Sequence, residues 1–232
     1  MAKEKLILIP GMLCDERLYA HQIDGVAERA DATVWMPVGA ETIADLAKQL
    51  LAEAPDRFAL AGLSMGGYIA LEIARVAPER LTRLALMDTT PLPDSPERTA
   101  MRRQTIGRAE RGEFETFYGE MLLPRLIHTD RLSDAALVGA VRGMAMSLGP
   151  EVFIQQTRAV MSRQSYVPVL PGIRCPTLVV CGKQDAICPV DDHRLMAETI
   201  LGAKLVVIDE CGHLASIERP HAVTSVLQYW LQ

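Results

Sequence analysis

Aromatic residues make up only 5% of the 232-residue chain, and its five cysteines (Cys14, Cys175, Cys181, Cys188, Cys211) are an odd number. None of the five forms a C-x-x-C pair, which excludes the common zinc-ribbon and redox-dithiol motifs and leaves the cysteines to be read as reduced thiols. Excess positive charge is missing too. Lys plus Arg number 24 against 29 Asp plus Glu, and a net charge of -5 gives no electrostatic pull toward a phosphate backbone, so no nucleic-acid partner is expected. Near the N-terminus the apolar run is only Leu6 to Ile9 before Pro10 and Gly11 break it. Such a run is too short for a signal peptide or a membrane span, so a cytoplasmic protein with no membrane partner is expected. What is present is a composition 49% hydrophobic and 23% charged, which excludes disorder, coiled coil and collagen and suits one domain with a sizeable core.

Short apolar runs alternate with helical patterns over the first ninety or so residues and again over the last sixty or so. This alternation predicts an α/β fold, a doubly wound, mostly parallel six-stranded sheet with helices on both faces. The strand candidates are Leu6 to Ile9, Thr33 to Met36, Phe58 to Leu63, Leu84 to Asp88, Thr177 to Cys181 and Lys204 to Asp209. Ile43, Leu46, Ala47, Leu50 and Leu51 recur at helical spacing, as do Val223, Val226, Leu227, Trp230 and Leu231 behind Pro220. Both stripes are read as core-facing.

Residues 91–168 break the rhythm. They hold no convincing strand, but helix starts stand at Ser95-Pro96-Glu97, around Gly112-Glu113, at Ser133-Asp134 and at Gly149-Pro150. The expectation is a four-helix cap inserted into one domain whose core is 1–90 and 169–232. Its charges (Arg98, Arg102, Arg103, Arg108, Glu110, Arg111) read first as a solvated face, and its methionines (Met101, Met121, Met144, Met146, Met161) as gap-filling core. The apolar group Phe114, Phe117, Tyr118, Met121, Leu122 and Leu123 reads as packing against the core or, alternatively, as the wall of an acyl pocket.

The strongest local signal is Gly62-Leu63-Ser64-Met65-Gly66-Gly67, a G-x-S-x-G placed after a strand and before the helical run Tyr68 to Ala77. A serine on so sharp a turn takes a strained backbone conformation and projects its hydroxyl above the sheet, while side chains at positions 62 or 66 would collide with the adjoining strand or helix. Serine needs a base to become a nucleophile, and the base needs an acid to orient it. Strand Thr177 to Cys181 leads to Asp185, and strand Lys204 to Asp209 leads to Gly212-His213, both at strand ends where open α/β sheets gather their sites. Asp88, at the end of its own strand, is the rival acid; otherwise it caps a turn before Thr89 and Thr90. His21, His128, His193 and His221 read as surface or capping histidines. Acyl transfer also needs oxyanion donors, expected from the backbone N–H of Met65 and, in the loop Pro10-Gly11-Met12-Leu13, from Met12 or alternatively Leu13.

With these motifs in this order the chain resembles the α/β-hydrolase superfamily, and within it the small lid-bearing bacterial esterases, enol-lactonases and carboxylesterases. The resemblance covers nearly the whole chain. It implies Ser64 as nucleophile, His213 as general base and acid, Asp185 as its orienter, and Met12 with Met65 as the oxyanion hole. Two departures stand out: Pro10-Gly11 replaces the His-Gly pair of many relatives, and no leading hairpin precedes the first strand, so six parallel strands are expected. A serine at position 64 argues against dehalogenase and epoxide-hydrolase chemistry, which needs a carboxylate nucleophile.

The resulting expectation is a serine hydrolase of small carboxylic esters or lactones, working without metal or cofactor on a small-molecule substrate, as a monomer or a homo-oligomer. One alternative keeps the triad for carbon-carbon bond hydrolysis, lyase or acyl-transfer chemistry, with Arg102 or Arg103 gripping a substrate carboxylate. A second is a receptor-like module that binds a small ligand without productive turnover.

Overall fold

A computed structural model describes residues 3–232. Six strands, β1 (Glu4–Ile9), β2 (Ala30–Val34), β3 (Phe58–Leu63), β4 (Leu81–Met87), β5 (Thr177–Gly182) and β6 (Lys204–Ile208), pair in parallel in the order β2-β1-β3-β4-β5-β6. All the strand pairings are parallel, as expected from the sequence. Side chains alternate between two apolar layers, Leu6 and Leu8 facing one and Ile7 and Ile9 the other, because successive residues of a strand point to opposite faces. Helices α2 (Ile43–Glu53), α3 (Met65–Val76) and α8 (Val190–Thr199) cover one face; α1 (Ala20–Val26), α9 (Ala215–Glu218) and α10 (Pro220–Trp230) cover the other. Coverage on both sides is why β3 and β5 are buried along their whole length and read as unbroken apolar runs.

β2 lies earlier than Thr33 to Met36 because it is an edge strand. Its pairing starts with Ala30 against Glu4, and its residues alternate in burial, so an apolar-run criterion misses Ala30 to Ala32. β4 likewise begins at Leu81, where Thr82 and Arg83 break the apolar pattern but not the pairing.

Between β4 and β5 the chain leaves the sheet. Helix α4 (Pro96–Glu110) opens with the Ser95 side chain accepting from Arg98 N–H and Pro96 in the first turn. Helix α5 (Phe114–Phe117) continues through a π turn over Tyr118–Leu122 into α6 (Leu123–Leu126). Helix α7 (Ala135–Met161) is capped by Asp134 and kinks at Gly149, whose φ of 80° and following proline stop one continuous rod. By length and hydropathy α7 could cross a membrane. It instead kinks onto the core: Gln156 accepts from Leu13 N–H at 2.8 Å and donates to the Pro37 carbonyl at 3.1 Å. Phe114, Phe117 and Phe153 pack ring to ring with centroids 5.3–5.7 Å apart, so these cap aromatics form packing core.

Candidate active site

Parallel strands put all their carboxyl ends on one side of the sheet, and there the candidate residues gather. Ser64 follows β3 directly and opens α3 with φ 54° and ψ -112°, a left-handed backbone that a serine adopts only under constraint. The turn is tight enough that a Cβ at Gly62 would lie 2.2 Å from the Gly66 carbonyl oxygen, and one at Gly66 would lie 2.2 Å from that of Ile9. Ser64 N–H donates to the Met87 carbonyl at 2.9 Å, and the Thr89 hydroxyl donates to the Ser64 carbonyl at 2.8 Å, so the end of β4 holds the serine at both its backbone polar groups.

Ser64 Oγ lies 2.8 Å from His213 Nε2, and His213 Nδ1 lies 2.8 Å from Asp185 Oδ2. Asp185 and His213 are both buried. Burial pushes the Asp185 carboxyl up, but the facing His213, as charge and as hydrogen-bond donor, and the N–H groups of Cys188 and Ile187 together hold it below the ordinary aspartate value. An ionised Asp185 requires Nδ1 to carry the proton, which leaves Nε2 free to accept from the serine hydroxyl. The acid loop is itself fixed, since Asp185 Oδ1 accepts from Ile187 N–H at 2.8 Å and Cys188 N–H at 2.9 Å.

Asp88 does not reach the histidine. Its Oδ1 accepts from Gly182 N–H at 2.9 Å and its Oδ2 from Ala215 N–H at 3.3 Å, so it clamps the end of β5 to the start of α9, two residues after His213. Burial first, and then the Asp185 charge, raise its carboxyl well above the ordinary value. His193 is not at the surface either. It is fully buried, with Nε2 accepting from Thr89 N–H at 2.9 Å and Nδ1 3.0 Å from the Pro189 carbonyl. Burial lowers its basicity, in keeping with a neutral ring that accepts at Nε2. His128 does cap, accepting from Asp130 N–H at 3.2 Å.

On the other side of Ser64, the alternative donor Leu13 has its N–H taken by Gln156. The N–H groups of Met12 and Met65 have no hydrogen-bond partner among the described residues, and both residues line the same cavity as Ser64 and His213.

The profile of the alpha/beta hydrolase family matches residues 13–226. The chain belongs to the alpha/beta hydrolase family. Among solved structures it is similar to a thermophilic esterase from Thermogutta terrifontis, at 30% identity and TM-score 0.89, covering 99% of this chain and 90% of that one. An enol-lactonase from Burkholderia xenovorans shares the fold at 23% identity and TM-score 0.89, over 100% and 92% of the two chains. Among characterised sequences it is 26% identical to a pimeloyl-[acyl-carrier protein] methyl ester esterase of Aromatoleum aromaticum over 79% of this chain and 78% of the relative. A 2-hydroxy-6-oxo-6-phenylhexa-2,4-dienoate hydrolase of Comamonas testosteroni is 30% identical over 71% of this chain and 59% of its own.

In this hydrolase the cavity over Ser64 holds about 90 Å³, small beside the roughly 300–1,000 Å³ of pockets for drug-sized ligands. Its upper wall comes from the excursion between β4 and β5, including Met101 and Arg102 of α4, Tyr118 and Leu122 of the π turn, and Val160 of α7. Arg102 is thus at the cavity, but its Nε donates to Asp94 at 2.6 Å. Arg103 is exposed and takes no part in the lining. Helical spacing separates them: Arg102 lies four residues after Arg98 on one face, and Arg103 is turned about 100° away toward solvent. Arg98, expected on a solvated face, and Arg125, which no motif marks, both line it. The i, i+4 relation of Arg98 to Arg102 is the signal that could have found the first; nothing local marks the second. Met101 lines the cavity and Met121 is 41% exposed, so neither is core filler, whereas Met144 is.

Asp185, Cys188 and His213 bring donor atoms within 4.8 Å of one another. Their chemistry does not suit a metal: the carboxylate and Nδ1 are spent on each other, and burial pushes the Cys188 thiol well above its ordinary value, away from the thiolate a metal requires.

Proposed function

We propose that this protein is a serine hydrolase of small carboxylic esters or lactones that works through an acyl-enzyme, in the cytoplasm and without a cofactor. The observation that carries the reading is the relay Ser64 Oγ, His213 Nε2, His213 Nδ1 and Asp185 Oδ2, with both contacts at 2.8 Å. Ser64 Oγ attacks the substrate carbonyl carbon while its proton passes to Nε2, and the resulting imidazolium is balanced by Asp185. The oxyanion is met by the free N–H groups of Met12 and Met65. Collapse expels the alcohol, which takes the proton from Nε2; water then attacks the acyl-enzyme, losing its proton to the same nitrogen, and a second collapse breaks the bond to Ser64 Oγ, which recovers that proton as the carboxylic acid leaves. Residues 91–168 act as the cap that shapes the acyl site over a core of 1–90 and 169–232.

A panel of short-chain esters and lactones, assayed with the native chain and Ser64→Ala, tests this. Turnover lost by about 10⁴-fold or more in Ser64→Ala supports it, and equal turnover by the two would refute it.

A second reading, carbon-carbon bond hydrolysis on the same relay, is favoured by the Comamonas testosteroni relative and by the arginines at the cavity. It predicts cleavage of vinylogous 1,5-diketone acids and no turnover of simple esters.

A further inference from the structure

Three guanidinium groups, those of Arg98, Arg102 and Arg125, line the cavity over Ser64, and a fourth, that of Arg163, packs behind its wall; among the described residues the one carboxylate bonded to any of them is Asp94, which holds Arg102 and Arg163. Asp94 accepts from Arg102 Nε at 2.6 Å and lies 2.7 Å from an amino nitrogen of Arg163, whose side chain is wholly buried and stacks 4.4 Å from the centroid of Tyr68, itself a cavity residue. Arg98 and Arg125 have no carboxylate partner among the described residues. Each reaches only a backbone carbonyl of the acid loop, Arg98 that of Ile187 at 2.7 Å and Arg125 that of Ala186 at 3.5 Å. Among the described residues no aspartate or glutamate lines the cavity, although the chain as a whole carries a net charge of -5. A local excess of positive charge in an acidic protein, in the lining of a small site, is the pattern that recruits an anion.

We propose that this site selects esters or lactones bearing a second, free carboxylate, held by Arg98 and Arg125 while Ser64 attacks the ester carbonyl. The inference rests on the hydrolase reading above and names its substrate class. A guanidinium presents a planar fork of donors that matches a carboxylate, and neither Arg98 nor Arg125 has its fork filled by an acid within the protein. The cavity that Ser64 shares with the two arginines is otherwise lined largely by apolar side chains, among them Met101, Leu122, Val160 and Ile187, and its volume of about 90 Å³ is small, which suits a short hydrocarbon segment joining the two acyl ends. Half-esters of short dicarboxylic acids, which join an ester to a free carboxylate through a hydrocarbon chain, meet these demands. Arg102 contributes field more than contact, because Asp94 already occupies its Nε.

The test uses the full chain and a fluorophosphonate probe, so that it needs no prior substrate. Rates of Ser64 labelling are measured with and without succinate, glutarate or adipate, and beside them kcat/KM for the monomethyl and dimethyl esters of the same acids. The native chain is expected to be protected by at least one diacid and to prefer its half-ester over its diester by about ten-fold or more. Arg98→Gln and Arg125→Gln are each expected to pull that ratio toward one. Arg98 also ties the acid loop, so Arg125→Gln, on an exposed residue with only a long contact, is the cleaner variant, and thermal melts check the fold of both. Ser64 labelling without protection, with a native ratio near one or a ratio unmoved in both variants, would overturn the inference and leave the hydrolase reading standing. No labelling of Ser64 in the folded chain would instead remove the hydrolase reading beneath it.

Discussion

The strand-end loops and the cap hold their polar groups in different ways. Ser64, Asp185 and His213 sit in loops whose backbone is locked by neighbouring strands, with Asp88 bridging Gly182 and Ala215, His193 holding Thr89, and Asp185 receiving two N–H groups of its own loop. Over the cavity, the cap offers long, charged side chains whose ties are fewer and run to backbone carbonyls or to the single Asp94. Rigid placement suits the reacting atoms, where a displacement of an ångström costs rate; adjustable arginines suit recognition of a substrate's far end. The two regions meet at the histidine loop. His213 and Leu214 N–H both donate to the Leu126 carbonyl of α6, and buried Glu218 accepts from Gly212 N–H at 3.0 Å and from His128 N–H at 2.8 Å. The segment between β4 and β5 is therefore part of what holds His213 in place.

The sharpest way to break the comparison is to exchange the two buried aspartates. Asp185→Asn should lower kcat by about 10⁴-fold, because the amide no longer fixes the imidazole tautomer, whereas Asp88→Asn should cost at least about a hundredfold less. Their pH signatures run in opposite directions. Asp185 is depressed in the folded state, so its contribution to stability is present above the ordinary carboxylate value and lost as pH falls through the lowered one. Asp88 is raised, so its contribution is full below the ordinary value and lost as pH rises through the raised one. Thermal melts across pH should accordingly lose acid-side sensitivity in Asp185→Asn and lose the decline with rising pH in Asp88→Asn.

Next in size is Asp94→Asn, which leaves the buried Arg163 guanidinium without its counter-charge. A loss of about 3 kcal/mol in denaturant unfolding is expected, the order found when one partner of a buried ion pair is removed. Glu218→Gln keeps one acceptor oxygen and replaces the other with a donor, so either Gly212 or His128 loses its partner. This should cost about 1–3 kcal/mol and raise hydrogen exchange in both the histidine loop and the segment after α6 together, which a purely local role in either would not do. Smallest of all, Arg103→Ala on the solvent side of α4 should stay within about 0.5 kcal/mol of the native stability and leave substrate preference unchanged.

How much of this was legible in the sequence follows the same division. Strands β3 and β5 and the turn at Ser64 are written locally, in unbroken apolar runs and in glycines that have no room for a Cβ, and so are the loops that deliver Asp185 and His213. The starts of β2 and β4 are not, because an edge strand and a strand entering at the sheet margin carry polar residues that only pairing explains. In the cap the helix starts at Ser95 and Asp134 and the break at Gly149 are local capping chemistry and can be read. Which of Arg98, Arg102, Arg103 and Arg125 faces the cavity depends on how α4 and α6 dock over the sheet, and that packing has no local code. His193, expected from the sequence as a surface or capping group, is buried for the same reason: its Nε2 partner, Thr89, lies 104 residues away.

The most direct measurement is intact-protein and peptide mass spectrometry of the native chain after reaction with a fluorophosphonate near neutral pH. The account predicts a single adduct on Ser64, lost on prior heat denaturation and in Ser64→Ala and strongly slowed in His213→Ala. No adduct on the folded chain, or one that forms elsewhere while Ser64 stays free, would contradict it.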